Sequence, residues 1–272
     1  MVRSTPGMIA HGRAIFALVL CAVVVLVLAP VQLIILAVAR HHYHFLPRLF
    51  HRIALFLMGV KVTCHGKRSS HHPLLIVANH VSWLDILVLG SVASVAFIAK
   101  ADMKSWPILG WLARLQRSIF VEREERRKAG KQADEIADRM NEGDVIVLFA
   151  EGTTGDGNTV LEFKSALFGA AQSALRNSDH EMVSIQPVAI TYTRLQGMAM
   201  GRFWRPVAAW PGDITIGGHL YNVILEGAID VEVCFGPAVD FTRSQNRKTV
   251  ASKVHKSVRD LAAHSLRGRN ED

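Results

Sequence analysis

Cysteine is scarce. Cys21, Cys64 and Cys234 are the three thiols in 272 residues, an odd number, with Cys21 in an apolar stretch and none at metal-ligand spacing. That argues against a disulfide framework and against a zinc site, and it fits a reducing compartment. Internal repeats and low-complexity linkers are also lacking. So is a phosphate-cradling loop: Gly152, Gly155 and Gly157 cluster loosely, but no lysine and hydroxyl residue follow in P-loop register. The chain holds thirteen histidines, yet His41, His42 and His44 flank an apolar segment without thiol or carboxylate companions. Neither a nucleotide cofactor nor a metal is expected. No nucleic-acid motif accompanies the formal charge of +8, so nucleic acid is not expected as a partner.

What the sequence does have is a long apolar run. From Ala14 to Ala39 only Gln32 interrupts it, about 26 residues or roughly 39 Å of helix, enough to cross a bilayer with tilt. It exceeds the apolar core of a usual signal peptide, and no small-residue cleavage pattern clearly follows. Pro30 allows either a kinked span or a shallow helix pair that enters and leaves on one side. Arg40, Arg48 and Arg52 follow the run and suit an anionic membrane surface. Two further basic stretches, 126–131 and 243–269, can face either the membrane or an acidic protein. Phe45, Leu49, Ile53 and Leu57 recur at helical spacing, so 45–59 reads as an amphipathic helix. Residues 1–59 are therefore expected to anchor a catalytic domain over 60–272.

In that second part, short apolar runs alternate with helical patterns. Val60–His65, Leu74–Ala78, Val95–Ala99, Ile119–Glu122, Val145–Ala150, Val183–Thr193 and Ile229–Phe235 read as strands, and 128–141 and Lys164–Arg176 as helices. The expected fold is α/β: a mixed, roughly seven-stranded central sheet flanked by helices. Val250, Val254, Val258 and Leu261 mark a terminal amphipathic helix.

The polar run Asn79-His80-Val81-Ser82-Trp83-Leu84-Asp85 begins where a buried strand ends, the position at which α/β sheets present reactive groups. In a regular helix, five residues turn through about 500°, leaving His80 and Asp85 roughly 140° apart. They meet only if the chain bends between them, with a helix starting near Ser82 and Ser82 as its cap. Asp85 can then hold one imidazole nitrogen and leave the other to take a proton. That is a triad without its serine: a substrate hydroxyl becomes the nucleophile.

This motif, N-H-x-x-x-x-D, resembles the first motif of the glycerolipid acyltransferase family, which includes lysophosphatidate acyltransferases. The resemblance continues in order. Ala99-Lys100 with Pro107 and Gly110, then Ile119-Phe120-Val121-Glu122-Arg123, is similar to the family's second motif and its approach. Phe149-Ala150-Glu151-Gly152-Thr153 resembles the third motif, and Ile185-Gln186-Pro187-Val188-Ala189 the fourth. The resemblance implies the glycerolipid acyltransferase fold, His80 as base and Asp85 as its partner. It also implies an acceptor site drawn from Asn79, Lys100, Arg123, Glu151, Gly152, Thr153 and Thr154.

Two departures matter. Phosphate-binding members usually carry arginine after Glu-Gly-Thr, where this chain has Thr154, and glycine where this chain has Arg117. Threonine cannot grip phosphate bidentately as a guanidinium does. The run from Glu151 through Asn158 and Phe163-Lys164-Ser165-Ala166-Leu167-Phe168, and Ala189-Ile190-Thr191-Tyr192 leading toward Trp204 and Trp210, resemble the lyso-ornithine lipid acyltransferase branch. That resemblance implies acyl carrier protein as donor, with acyl-CoA as the other option. It implies a 3-hydroxyacyl-ornithine as the lyso-lipid acceptor and the cytoplasmic face of a bacterial inner membrane as the location. Lysophosphatidate is the alternative acceptor.

Overall fold

The computed structural model describes residues 7–122, 127, 129–211 and 215–268. In chain order, α1 (Met8–Val38) and α2 (Phe45–Met58) precede β1 (Val60–His65), β2 (Leu74–Ala78), α3 (Leu84–Val92) and β3 (Ala96–Lys100). Then come α4 (Leu109–Leu115), β4 (Ile119–Val121), α5 (Ala129–Asn141), β5 (Ile146–Phe149), α6 (Gly169–Arg176), β6 (Met182–Leu195) and β7 (Met198–Ala199). The chain closes with α7 (Ile216–Glu226), β8 (Ile229–Phe235), β9 (Val239–Thr242) and α8 (Arg247–Leu266).

All seven expected strands form, in the order β1-β8-β6-β2-β5-β3-β4, within a sheet of nine. Strands β2, β5, β3, β4 and β6 run parallel to their neighbours in that set, whereas β8 pairs antiparallel with β6 and parallel with β1. The two additions are β7, which turns back on the end of β6, and β9, which pairs Met182–Ile185 of β6. Each is short and half-exposed, so neither carries the apolar run that betrays a strand.

Strand β2 is buried along its whole length, as expected of a parallel strand covered on both faces. Leu74, Ile76 and Ala78 face one side, where α1, α2, α3 and α7 pack, while Leu75 and Val77 face the other, covered by α5, α6 and α8. Burying each large side chain of this strand stabilises the fold by about 1.5–3 kcal/mol. The consequence for chemistry is positional: the end of β2, at Ala78, lies at the middle of the sheet between β5 and β6.

Helix α1 runs unbroken through Pro30 and is long and apolar enough to cross a membrane. Pro30 therefore does not divide it into a helix pair, and the second helix of the segment is α2, capped by Gly59 in the left-handed region. A proline inside a helix forfeits one backbone bond, and in apolar surroundings a full break exposes many more. Two polar side chains tie α1 to α7, to α4 and to the turn before α2. Arg13 donates to the carbonyls of Ile224 (2.7 Å) and Leu225 (2.9 Å), and Gln32 donates to those of Tyr43 and Leu115 (both 2.9 Å).

Candidate active site

The chain bends after β2 as the spacing of His80 and Asp85 requires. Asn79 begins the bend: its amide donates to the Ile190 carbonyl (2.9 Å) and accepts the Ile190 N–H (2.8 Å), extending the β2–β6 ladder by a side chain. Asn79 is buried and faces β6. Beyond it, the Oδ2 of Asp85 accepts from the backbone of Val81 (2.7 Å) and Ser82 (2.9 Å), closing the turn from its far end. Helix α3 starts at Leu84, two residues later than expected, and Ser82 is not its cap: the Ser82 hydroxyl is buried without a hydrogen bond among the described residues. No side chain caps α3; Asp85, in its first turn, instead satisfies the two amides of the preceding bend with one oxygen.

The same Oδ2 meets Nδ1 of His80 at 2.8 Å, and the other oxygen, Oδ1, accepts the hydroxyl of Tyr192 at 2.7 Å. Asp85 and Tyr192 are both buried in the α1/α2/α3/α7 side of the core. Burial, and then the Asp85 charge, hold the Tyr192 phenol well above its ordinary range, so it remains a donor. Held by these contacts, the Asp85 side chain orients the imidazole through Nδ1 and leaves Nε2 on the other side of the ring.

The third-motif loop holds the backbone of His80 from both sides. Glu151 Oε2 accepts the His80 N–H (3.1 Å), and Oε1 accepts the Leu161 N–H (3.0 Å). The His80 carbonyl accepts the N–H of Gly155 (2.8 Å). The imidazole stacks on Phe149, at the end of β5, with centroids 4.0 Å apart and planes 13° from parallel. Ring, backbone and Nδ1 are all fixed, and Nε2 has no hydrogen bond among the described residues. An imidazole in this state accepts a proton at Nε2.

Glu151 is buried, which pushes its carboxyl up to about 8; the two backbone N–H groups pull the other way, and Asp85 adds to the rise. Its two oxygens are occupied by the chain itself, so it acts on His80 and on the loop. Gly152 adopts φ +71°, and a side chain there would strike the Lys164 stem within 2.9–3.2 Å, so this turn requires glycine. Thr153 is exposed and Thr154 half-buried on the loop that follows. Lys100 lies two strands away at the end of β3, paired with Asp102 at 2.7 Å. Arg123 lies outside the described residues.

The acyltransferase family model matches residues 61–191, a span that contains His80, Asp85, Phe149, Glu151, Gly155 and Leu161 and ends one residue before Tyr192. The lyso-ornithine lipid O-acyltransferase of Rhizobium meliloti (strain 1021) is 51% identical over 92% of this chain and 86% of its own length. That of Brucella abortus (strain 2308) is 49% identical over 93% of this chain and 95% of its own. The chain belongs to the glycerolipid acyltransferase family. Its fold agrees: the crystal structure of the 1-acyl-sn-glycerophosphate acyltransferase of Thermotoga maritima superposes with a TM-score of 0.65 at 20% identity, over 97% of this chain and 98% of that one.

Within this acyltransferase, sequence reasoning brought His80, Asp85 and Glu151 together but missed Tyr192, Phe149, Gly155 and Leu161. A signal for Tyr192 existed. It sits two residues after Ile190 on β6, on the same face and one step past the strand's pairing with β2.

Proposed function

We propose that the enzyme acylates the free hydroxyl of a 3-hydroxyacyl-ornithine, taking the acyl group from acyl carrier protein, with His80 as general base and Asp85 as its partner. Chemically, Nε2 of His80 takes the hydroxyl proton as the oxygen attacks the thioester carbonyl. The tetrahedral oxyanion collapses, the new ester forms and the carrier thiolate leaves, taking the proton back from His80. The observation that carries this reading is the hydrogen bonding of one ring: Nδ1 bound to Asp85 at 2.8 Å, Nε2 without a hydrogen bond among the described residues. An imidazole so held needs no enzyme nucleophile beside it.

The acceptor is read from what the loop after β5 presents. Thr154 stands where phosphate-binding relatives carry arginine, and a zwitterionic headgroup does not require that charge. Thr153 and Thr154 offer hydroxyls to the headgroup or to the oxyanion, and Lys100 and Arg123 are the cations proposed to bind the acceptor. Asn79 and Glu151 act by holding the His80 bend, and Gly152 by letting the chain turn.

Residues 1–59 are read as the anchoring segment and 60–272 as the catalytic domain, attached to the cytoplasmic face of the inner membrane. Arg13 and Gln32, both bound to the sheet side of the molecule, lie about 28 Å apart along α1. That is almost the thickness of the hydrocarbon core. A crossing helix held at both points drags polar structure through the bilayer, so α1 lies along one leaflet, with Phe16, Leu26, Ile34 and Phe56 outward. The carrier then approaches from the far side of the sheet, where α8 exposes Arg247, Lys248, Lys253, Lys256 and Arg259. An acidic protein is favoured there by charge.

The test is direct: purified enzyme in lipid nanodiscs, acyl carrier donor, and lyso-ornithine lipid and lysophosphatidate offered side by side. Ester formation on the ornithine lipid is expected. Preference for lysophosphatidate would overturn the acceptor assignment.

A further inference from the structure

The segment after β7 brings a second arginine to the His80 loop. Trp210 donates its N–H to the Val81 carbonyl (2.9 Å), which docks this segment beside the motif. A side chain built on Gly157 would lie 3.1 Å from Val81 Cγ1 and 3.8 Å from Arg205 Cβ. Gly157, at φ +76°, therefore lets the third-motif loop close on Val81, with Arg205 in ordinary contact beside it.

Arg205 is buried, 8% exposed, yet no carboxylate is within ion-pair distance of it among the described residues. Nη1 donates to Asn158 Oδ1 at 2.7 Å, while Nε is buried with no hydrogen-bond partner among the described residues. A guanidinium has five N–H donors, and leaving them unspent in the interior is expensive. Burial accordingly pulls the Arg205 guanidinium below its usual range, with the nearby Asp156 charge partly restoring it.

Asn158 links Arg205 to an acid. Its Nδ2 donates to Asp156 Oδ2 (3.0 Å), and its backbone N–H donates to Asp156 Oδ1 (2.9 Å). Asp156 is exposed and has no cation within ion-pair distance among the described residues. One amide side chain thus holds a cation and an anion beside each other.

We propose that Arg205 and Asp156, set by Asn158, form the headgroup site: the guanidinium receives the α-carboxylate of an amino-acid lipid and Asp156 its side-chain ammonium. The site complements a zwitterion. A phosphate monoester matches it poorly, because its two negative charges meet one arginine and are repelled by the acid beside it. This rests on the ornithine acceptor proposed above, and it moves the recognition charge lost at Thr154 to a different segment of the chain.

The test uses three acceptors: lyso-ornithine lipid, its carboxyl methyl ester and its side-chain N-acetyl form. Arg205→Gln is expected to lower kcat/KM for the parent lipid about 10- to 100-fold, the range for a lost charged hydrogen bond, while the ester, already deprived of that bond, changes little. Asp156→Asn is expected to do the same for the parent against the N-acetyl form. Arg205→Lys, which keeps the charge and loses the fork, is expected to fall between wild type and Arg205→Gln. Equal loss on all three acceptors, in variants that melt like wild type, would make Arg205 a scaffold for the loop and overturn the site alone. Wild-type enzyme that ignores lyso-ornithine lipid would overturn the acceptor assignment, and the site with it. If Arg205→Gln fails to fold, the Asp156→Asn and Arg205→Lys comparisons decide.

Discussion

The two faces of the sheet are built from the same kind of apolar interior but present opposite exteriors. On one, α1 and α2 turn Phe16, Leu26, Ile34 and Phe56 outward, and beneath them lie Asp85 and Tyr192. On the other, α8 presents Arg247, Lys248, Lys253, Lys256 and Arg259, with Asp260 its one acidic side chain. The difference teaches how one site takes two unlike substrates. On the proposed reading, a lipid acceptor arrives from the apolar side and a soluble donor from the charged side, and both meet at the end of β2, in the middle strand. If that division is real, substitutions on the first face should change the chemical step and acceptor handling, and substitutions on the second should change donor capture.

The largest effect is expected at His80. His80→Ala removes the base, and transfer should fall on the order of 100- to 10,000-fold, read as acceptor-dependent release of carrier thiol, while flotation with liposomes is unchanged. Activity close to wild type in that variant would sink the mechanism. Asp85→Asn should follow closely, because an amide cannot stabilise the imidazolium and turns its NH2 either on the Tyr192 hydroxyl or on the His80, Val81 and Ser82 donors. Tyr192→Phe tests the same carboxylate more gently. It leaves Oδ1 of Asp85 buried without its donor, a loss of about 1–3 kcal/mol, and a drop of about tenfold in kcat with little change in KM is expected.

Glu151 joins the faces, and its signature is a pH dependence. Its carboxyl is raised to about 8 in the folded chain, so the folded state binds the proton more tightly than the unfolded state. The stability this contributes is complete below the ordinary glutamate range and is lost as pH rises through about 8. Melting measured from pH 6 to 9 should therefore show wild type losing ground to Glu151→Gln as pH rises, by at most about 1.4 kcal/mol per pH unit. Parallel curves for the two proteins would show that Glu151 does not titrate there.

Much of this was legible in the sequence, and the reasons differ by element. Strands of the parallel set are continuous apolar runs, so β2 and β5 announced themselves, and four ordered motifs tied their ends to one site. The bend at His80 was legible because helical spacing cannot bring it to Asp85. What stayed hidden were contacts made through backbone groups. Asn79 was read as touching substrate, but a sequence does not say that its amide will pair with Ile190. Glu151 was read the same way, and the distant amides of His80 and Leu161 claim it. Tyr192 and Arg205 lie more than a hundred residues from the motif they serve, and only the sheet order and the docking of Trp210 on Val81 bring them near.

The smallest expected effect lies on the charged face, and it is the one that most sharpens the comparison. Reversing Lys253 and Arg259 to glutamate leaves the buried stripe of Val250, Val254 and Val258 intact, so the helix should stay docked. With an acidic carrier as donor, KM should rise several-fold at low salt, and the rise should shrink as salt screens the attraction. With a free thioester as donor, and for liposome binding, the variant should match wild type, since α1 and α2 lie across the sheet from α8. A variant that instead loses liposome binding would place α8 against the membrane and break the division between the two faces.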